Sequence, residues 1–343
     1  MYPSIHYISI YLNIKSFFLY QSHRLLVSLC FACPLVTMKM MLSLVWLLIA
    51  IAHKAEPFIS ENFTECREFF YNQSFPQGFQ NISPPHHINH PNLPDGIKAK
   101  ELTSPAYICQ RYKNIDYFAS LYDRGRRVPL YSAYILDRRP TDKCIPGRQT
   151  RFNVEPQLVD RKLNKAMLSQ SATKGEIQKH FKIKNIQEAL ERLRTSQAVS
   201  ADYGITGYHR GHLNPVCHHK NQVAQDATFT LTNAVPMNSS LNQGQWNVYE
   251  KKMIEIARDC NTTYVVTGIV PGNNSLNDRV NIPSHVWSAY CCVDNNGKPI
   301  RSGAGLANNI NYPVKVISVS ELEVQLQRLI QYISFSIFQN KCS

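Results

Sequence analysis

A short segment of the chain, Tyr208 to Pro215, places an arginine and a histidine within reach of one common group. Arg210 and His212 are two residues apart, so in an extended strand both side chains project from the same face. Asn242 follows thirty residues after His212, and Glu250 comes eight residues after Asn242. The set offers a cation for a phosphate, a base, and an amide and carboxylate that can hold a hard cation. We interpret it as the parts of a metal-dependent phosphodiesterase.

The chemistry of phosphodiester hydrolysis explains why these residue types belong together. The reaction requires an activated water, neutralised charge at the non-bridging oxygens and a stabilised leaving oxygen. Neutral imidazole is a suitable base near neutral pH, which suits His212. Mg²⁺ prefers oxygen ligands and keeps several waters, so the Asn242 carbonyl can anchor it while Glu250 holds one of those waters. Arg210 suits the phosphate because its guanidinium is bidentate and permanently charged.

The elements expected to position these residues are two strands and a helix. The pattern predicts a strand from Tyr208 to Pro215, a second strand from Thr228 to Pro236, and a helix from about Asn242 to Arg258. Residues eight apart on a helix lie about 80° apart around its axis. Asn242 and Glu250 are therefore expected to face the same edge of the hairpin.

The rest of the chain is predicted to form further strands and a few helices. Strand patterns occur at 107–112, 116–122, 128–136, 263–270 and 285–293, and helical spacing at 175–194 predicts one surface helix or two. A closing helix is expected from Ser320 to Ile333, with Ser320 as its N-cap. These elements predict an α+β fold with a mixed, mainly antiparallel central sheet and flanking helices.

Composition indicates a folded protein with a polyanionic partner. The chain has 343 residues, 44% of them hydrophobic and 18% charged, which excludes wholesale disorder. Lysine and arginine number 37 against 24 acidic residues, a formal charge of +13. Such an excess favours nucleic acid, anionic glycan or a membrane surface as the partner.

The front of the chain predicts export. Residues 38–52 carry a basic residue, a short apolar run and Ala50-Ile51-Ala52 as a small-residue cleavage site, which is the layout of a signal peptide. Residues 1–37 are interpreted as an extension of the gene model or a leader; the alternative is a longer uncleaved anchor. We expect 60–343 to form a single secreted domain with no stable membrane insertion.

Cysteines and glycosylation motifs agree with the secretory route. An even number of cysteines after a signal peptide predicts disulfides, whose pairing the sequence leaves open. The eight cysteines after the leader are Cys66, Cys109, Cys144, Cys217, Cys260, Cys291, Cys292 and Cys342. The six Asn-x-Ser/Thr motifs begin at Asn62, Asn72, Asn81, Asn238, Asn261 and Asn273.

Several segments together resemble the DNA/RNA non-specific endonuclease family, the ββα-metal or His-Me finger nucleases, with a catalytic core at about 203–293. They are the segments 117–123, 129–134, 154–158, 207–215, 227–236, 241–246 and 283–287. The resemblance implies a ββα-metal motif that cuts DNA and RNA with Mg²⁺, or alternatively Mn²⁺.

The resemblance also implies individual roles. His212 would be the general base, Arg210 a phosphate contact, Asn242 the direct metal ligand, and Glu250 the holder of metal-bound water. The remaining implied residues are Asn233 as a supporting amide and Arg151 as a second arginine, with Arg148 as its rival.

One departure from the family pattern concerns the residue two positions before Gly211. The family signature reads Asp-Arg-Gly-His, and this chain has His209 in place of the aspartate. The exchange replaces a negative charge near a cation with a neutral or positive ring, which would weaken metal binding or misplace His212. Asp123-Arg124-Gly125-Arg126 keeps the aspartate but lacks the histidine, and we interpret that segment as a turn.

Other interpretations of these residues remain open. Asn242 would serve as a helix cap, Glu250 as a solvated helix residue, and Cys217-His218-His219 as part of a zinc site, although the spacing matches no standard zinc pattern. The lysine-rich segment 162–194 would bind nucleic acid or form a solvated face. For the whole protein the rivals are a nuclease fold that binds polyanions without turnover and an extracellular module that binds glycans.

Overall fold

A computed structural model describes residues 59–60, 62–82, 105–138, 149–204, 206–330 and 334–342. The predicted signal peptide, the extension before it, Cys144 and Arg148 lie outside these ranges. No helix within the described ranges is long and apolar enough to cross a membrane.

The fold is organised around one eight-stranded antiparallel sheet with the order β1-β2-β3-β4-β7-β10-β11-β12. Its strands are β1 (Ile59–Ser60), β2 (Ala106–Tyr112), β3 (Ile115–Asp123), β4 (Val128–Leu136), β7 (Thr262–Val270), β10 (His285–Val293), β11 (Pro299–Asn308) and β12 (Lys315–Ile317). Two small hairpins lie outside it, namely β5 (Tyr208–His212) with β6 (Ala234–Asn238) and β8 (Asn274–Leu276) with β9 (Val280–Ile282).

The helices are α1 (Gln170–Phe181), α2 (Ile186–Ser196), α3 (Gln222–Ala227), α4 (Ser239–Gln243), α5 (Gln245–Ala257) and α6 (Val319–Leu329). Of the one or two helices predicted at 175–194, two are present, because Lys182 takes a left-handed conformation at the end of α1 and Asn185 caps the start of α2. The closing helix starts earlier than predicted. Its N-cap is Ser318 rather than Ser320, and Ser318 forms a capping box with Glu321.

The central sheet is buried on both faces, which explains why its middle strands are almost continuously apolar. On one face a core containing Trp287 is covered by the 3-10 segments at 64–81 and by α6. On the other face a core containing Trp246 packs against the β5–β6 hairpin and the helices α1, α2 and α5. The predicted α+β fold with a mainly antiparallel sheet is confirmed; a parallel pairing occurs at the isolated bridge between Asn153 and Thr230.

Disulfides connect distant parts of the two cores. Cys66 bonds to Cys109 on β2, Cys260 to Cys292 on β10, and Cys291 to Cys342 near the end of the chain. Cys217 is disulfide-bonded as well. Adjacent cysteines on β10 point to opposite faces of the sheet, so Cys291 and Cys292 each serve a different core.

Candidate active site

The hairpin β5–β6 and the helices that follow it form a strand–strand–helix unit. His209 pairs with Met237, Arg210 with Pro236 and His212 with Ala234 in an antiparallel register. The second strand is shorter than predicted, since it begins at Ala234 rather than Thr228. Residues Leu231–Asn233 instead form a 3-10 turn, which leads the chain into β6.

Gly211 is required by close packing inside this hairpin. A Cβ atom at Gly211 would lie 2.5 Å from the Cβ of Met237, which is fully buried. Because such a distance is far inside van der Waals contact, a larger residue would push β5 away from β6. The glycine between Arg210 and His212 therefore sets how closely the two strands approach.

The helix after the hairpin starts earlier than predicted and is interrupted. Asn238 is its N-cap, with Oδ1 accepting from the amides of Ser240 at 3.1 Å and Leu241 at 3.2 Å. The alternative that Asn242 caps this helix is therefore wrong. Gly244 has non-helical backbone angles and separates α4 from α5. Asn242 and Glu250 consequently belong to different helices, and the 80° separation expected from one continuous helix does not apply.

Asn242 lies directly beside His209. The Asn242 Nδ2 atom is 3.3 Å from the His209 Nδ1 atom, so the amide N–H donates to the imidazole nitrogen. The amide carbonyl oxygen is then the Asn242 atom that can bind another group. This contact joins β5 to α4, and it involves the residue that replaces the aspartate of the signature.

Arg210 and His212 share one aromatic neighbour on the other face of β5. The guanidinium carbon of Arg210 is 5.5 Å from the ring centroid of Phe152, and the His212 ring is 5.2 Å from it. Phe229 packs edge-on against His212 at 4.9 Å. Arg210 also contacts the Tyr203 ring at 5.5 Å. The expectation that Arg210 and His212 project from the same face is confirmed.

Surrounding groups of the protein anchor one end of Arg210 and enclose one ring nitrogen of His212. The Nη2 atom of Arg210 donates to the Ser200 carbonyl at 3.0 Å. The Nε2 atom of His212 is enclosed, with less than 1 Å² of accessible surface.

The second arginine of the prediction is at the edge of the same cluster. Arg151 is exposed and directly precedes Phe152 in the chain. Arg151 is therefore a solvated side chain on the segment that packs against Arg210 and His212.

Asn233 holds the loops around the hairpin and is fully buried. Its Oδ1 accepts from the Ser132 hydroxyl and the Asn214 amide, both at 2.9 Å. Its Nδ2 donates to the carbonyls of Asn214 at 3.1 Å and Thr228 at 3.0 Å. With both donors and both acceptor positions in use, Asn233 acts as a support for the segment after His212 and has no atom left for a substrate.

Glu250 lies in a narrow pocket between α5 and the central sheet. Tyr134, His218 and Trp246 also line this pocket, which is too narrow to hold a water molecule. Burial raises the pKa of the Glu250 carboxyl to about 8, and the Trp246 indole offsets part of that rise. Glu250 is therefore not the solvated helix residue of the alternative reading, and to accept a hydrogen bond from metal-bound water as a carboxylate it must lose a proton.

The histidines beside Cys217 are buried and form hydrogen bonds within the protein. His218 contacts the Tyr134 hydroxyl at 2.9 Å and the Glu250 carbonyl at 3.0 Å, and His219 contacts the Asn214 side chain at 2.8 Å. Cys217 is in a disulfide, which removes it as a thiolate ligand. Within the described ranges no group of three or more His, Cys, Asp or Glu side chains could hold a metal. The zinc alternative has no support.

The segment from Asp123 to Arg126 is a turn, as the sequence predicts. Asp123 ends β3, and its carboxylate accepts from the amide and the guanidinium of Arg126, both at 2.8 Å. The segment is a turn between β3 and β4.

Sequence reasoning missed several residues that shape the site. Phe152 and Phe229 enclose His212, and Asn309 ties the loop after β11 to β6. An N-cap rule would have found Asn238, because it precedes Ser239-Ser240-Leu241 at the start of an apolar pattern. No sequence signal identifies Asn309, whose role depends on contacts more than seventy residues away in the chain.

The residues present fit a hydrated divalent cation with one protein ligand. The Asn242 amide orientation directs a neutral carbonyl oxygen away from His209, and Mg²⁺ is often held by one or two oxygen ligands and several waters. His212 is three residues, or about 10 Å along β5, from His209, and it projects from the opposite face of the strand.

Comparison with known proteins identifies relatives of the chain. The chain is 28% identical over 286 residues to the human Endonuclease domain-containing 1 protein, covering 82% of this chain and 48% of that protein. It is 29% identical over 236 residues to the mouse protein of the same name, covering 67% of this chain and 39% of the relative. The chain thus spans about half or less of the length of these relatives.

A solved structure described as the EndoG/EndoGI complex, on the mechanism of EndoG inhibition, matches with a TM-score of 0.45 and 18% identity, covering 66% of this chain and 84% of the other. A profile of the DNA/RNA non-specific endonucleases matches residues 96–338, well over half of the sequence. The chain belongs to the DNA/RNA non-specific endonuclease family.

Proposed function

We propose that this protein is a secreted, Mg²⁺-dependent endonuclease that hydrolyses DNA and RNA with little sequence preference. The observation that carries the proposal is the contact between β5 and α4 at His209 and Asn242, which brings the strand of Arg210 and His212 against the helix of the candidate ligand. Family membership supports the reaction class.

In the proposed reaction His212 takes a proton from the attacking water. Phe152 and Phe229 pack against the imidazole and fix its plane, and the neutral ring accepts the proton. Arg210 holds the non-bridging oxygens of the phosphate, with one N–H anchored on Ser200 so that the guanidinium does not swing. Asn242 would hold the metal, which supplies positive charge at the leaving 3′-oxygen when bound.

Substrate affinity is proposed to depend on backbone charge. The formal charge of +13 favours contacts with phosphates that carry no sequence information. Binding should then weaken steeply with salt. Mn²⁺ would replace Mg²⁺ because both accept oxygen ligands.

Degradation of a supercoiled plasmid tests the proposal. The wild-type protein should nick and linearise plasmid when Mg²⁺ is added, whereas His212→Ala should lose at least about a hundredfold in rate, the usual contribution of general-base catalysis. His180→Ala, on a helix away from the hairpin, is the matched control and should cut at the wild-type rate. Equal rates in wild type and His212→Ala would remove the proposed role of His212.

A second candidate function is supported by His209. Because an imidazole stands beside Asn242 where the family has a carboxylate, metal affinity would be lower, and the fold would then bind nucleic acid or another polyanion without turnover. DNA binding without cleavage across a range of Mg²⁺ and Mn²⁺ concentrations would favour this candidate.

Secretion is proposed from the signal-peptide pattern at 38–52 and from the disulfides between buried cysteines. Expression of the full chain in animal cells tests it. Appearance of the protein in the medium, without residues before about 53, is the expected result.

A further inference from the structure

Two exposed apolar side chains stand on the loop that follows β11. Tyr312 is 62% exposed and Ile310 is 51% exposed. The Ile310 amide donates to the Asn308 carbonyl at 2.7 Å, and the Tyr312 amide donates to the Ile310 carbonyl at 2.8 Å. Two successive three-residue turns of this kind coil the loop tightly and push both side chains outward.

Asn309 fixes this loop to the start of the helix that carries Asn242. Asn309 is only 5% exposed. Its Oδ1 accepts from the Asn238 amide at 2.8 Å, and its Nδ2 donates to the carbonyls of Pro236 and Pro283, both at 2.9 Å. Since Asn238 is the N-cap of α4, these hydrogen bonds connect the exposed loop to the helix of Asn242.

The loop also lies next to Gly244, where α4 and α5 are separated. The Oδ1 atom of Asn311 is 4.0 Å from the position that a Cβ would take at Gly244, two residues after Asn242. Val248, which is 59% exposed, lies one turn further along the same face of α5, since its amide donates to the Gly244 carbonyl at 3.1 Å. We call the exposed side chains of Ile310 and Tyr312 on the loop, together with Val248 on the neighbouring helix, the apolar shelf.

Basic residues border the apolar shelf. Lys251 and Lys252 follow Val248 at the spacing of one helical turn, and both are exposed. Lys315 is exposed three residues after Tyr312 and interacts electrostatically with Glu321, and on α5 the acidic residues are Glu250 and Glu255. An exposed aromatic ring with apolar neighbours and lysines beside it matches what a single-stranded nucleic acid requires, namely a surface for a base and charges for its backbone.

We propose that the apolar shelf binds an unpaired nucleobase of the substrate, with the base stacked on Tyr312. The inference rests on the proposed function and adds the class of substrate, because bases inside a duplex are already stacked on each other and cannot reach a protruding ring. Tyr312 would thus favour single-stranded DNA or RNA over duplex while leaving the cleavage chemistry to the hairpin. Stacking tolerates any base, so the contact agrees with a lack of sequence preference.

The test compares Tyr312→Ala, Tyr312→Phe and a control, Ile300→Ala, which removes an apolar side chain of similar exposure, 54%, at the opposite end of β11. The readout is kcat/KM on a single-stranded oligonucleotide and on a duplex of the same sequence. Tyr312→Ala should lose about tenfold on the single strand, within the range that one stacked base contributes, and stay within about twofold on the duplex. Tyr312→Phe and Ile300→Ala should resemble the wild type.

An equal loss on both substrates, or no loss on either, would overturn the proposal. So would a sedimentation experiment in which Tyr312→Ala converts a dimer to a monomer, because the shelf would then be an interface between copies of the chain.

A binding measurement separates failure of the shelf from failure of the proposed function. Fluorescence of a 2-aminopurine placed in the single strand should be quenched by the wild type and not by Tyr312→Ala, both without metal. If the wild type cuts no substrate yet shows this difference, the nuclease proposal fails and the shelf stands. If plasmid is cut with Mg²⁺ and quenching is the same in both proteins, the shelf fails alone.

Discussion

His209 and Asn242 are in direct contact, with 3.3 Å between the His209 Nδ1 and Asn242 Nδ2 atoms. The residue by which this chain departs from the family signature therefore touches the candidate metal ligand itself. An imidazole at this position orients the Asn242 amide by accepting its N–H but brings no negative charge to a cation. Metal affinity is the property that this exchange should alter first.

Restoring the carboxylate should strengthen metal binding. His209→Asp is expected to lower the Mg²⁺ concentration that gives half-maximal cleavage by about tenfold, the lower end of what outer-shell partners contribute to metal affinity. His209→Asn is the matched control, because asparagine has nearly the same shape as aspartate but no charge. This variant should not show the gain in Mg²⁺ affinity. Plasmid cleavage across a Mg²⁺ titration measures both variants; identical midpoints in His209→Asp and wild type would contradict the assignment.

Much of this fold follows from local pattern, and the exceptions have physical causes. The strands at 107–112, 128–136 and 263–270 were predictable because apolar β-formers end at clear turn residues. The strand at Thr228 was not, because Asn233 and Thr228 are joined by a side-chain hydrogen bond that holds the chain in a turn. The break between α4 and α5 occurs at Gly244. It was not predictable, because an isolated glycine in a helical pattern does not by itself indicate that the helix is interrupted.

The residues of the site also fall into those that the sequence predicts and those that it does not. Arg210 and His212 were predictable as a pair from the alternation of side chains along a strand. The roles of Phe152 and Asn309 were not, because they depend on contacts between segments that are far apart in the chain.

Gly211→Ala should destabilise the protein and reduce cleavage together. Its new Cβ would lie 2.5 Å from the Met237 Cβ, so β5 and β6 must separate. Overpacking of this kind costs about 1–3 kcal/mol. Gly175→Ala is the control: no atom lies within 4 Å of its added Cβ, and alanine in a helix should stabilise by about 0.5–1 kcal/mol. Thermal unfolding followed by circular dichroism distinguishes them, and a Gly211→Ala protein with wild-type stability would contradict the packing argument.

Replacing Asn233 should lower stability and turnover without changing the affinity for metal. Asn233→Ala leaves the buried partners Asn214, Ser132 and Thr228 without its hydrogen bonds, and each unsatisfied group costs about 1–3 kcal/mol. We expect a lower denaturation midpoint and a lower kcat, with the Mg²⁺ midpoint unchanged. A shifted Mg²⁺ midpoint in a folded Asn233→Ala protein would show that this amide contributes to the metal site after all.

Glu155 should make the protein less stable as the pH rises. Its carboxyl is buried and accepts from the hydroxyls of Thr230 and Thr232, both at 3.2 Å, and burial raises its pKa from 4.5 to about 8. Between these values the folded protein binds a proton that the unfolded chain does not, so the free energy of unfolding falls with pH by up to about 1.4 kcal/mol per unit. Above about 8 the full loss is present.

Glu155→Gln should remove this part of the slope, because glutamine keeps the shape and never ionises. Guanidinium unfolding from about pH 6 to about pH 9 measures the effect, with exposed Glu255→Gln as the control. Parallel slopes for wild type and Glu155→Gln would show that the buried carboxyl does not titrate in this window.

Binding of Mn²⁺, followed by the loss of the electron paramagnetic resonance signal of the free ion, tests whether Asn242 is the metal ligand. We expect one Mn²⁺ site in the wild type, its loss in Asn242→Ala, and its retention in Asn247→Ala, a neighbouring asparagine on α5. Binding that is equally tight in Asn242→Ala and the wild type would contradict the assignment of Asn242 as the anchor of the metal.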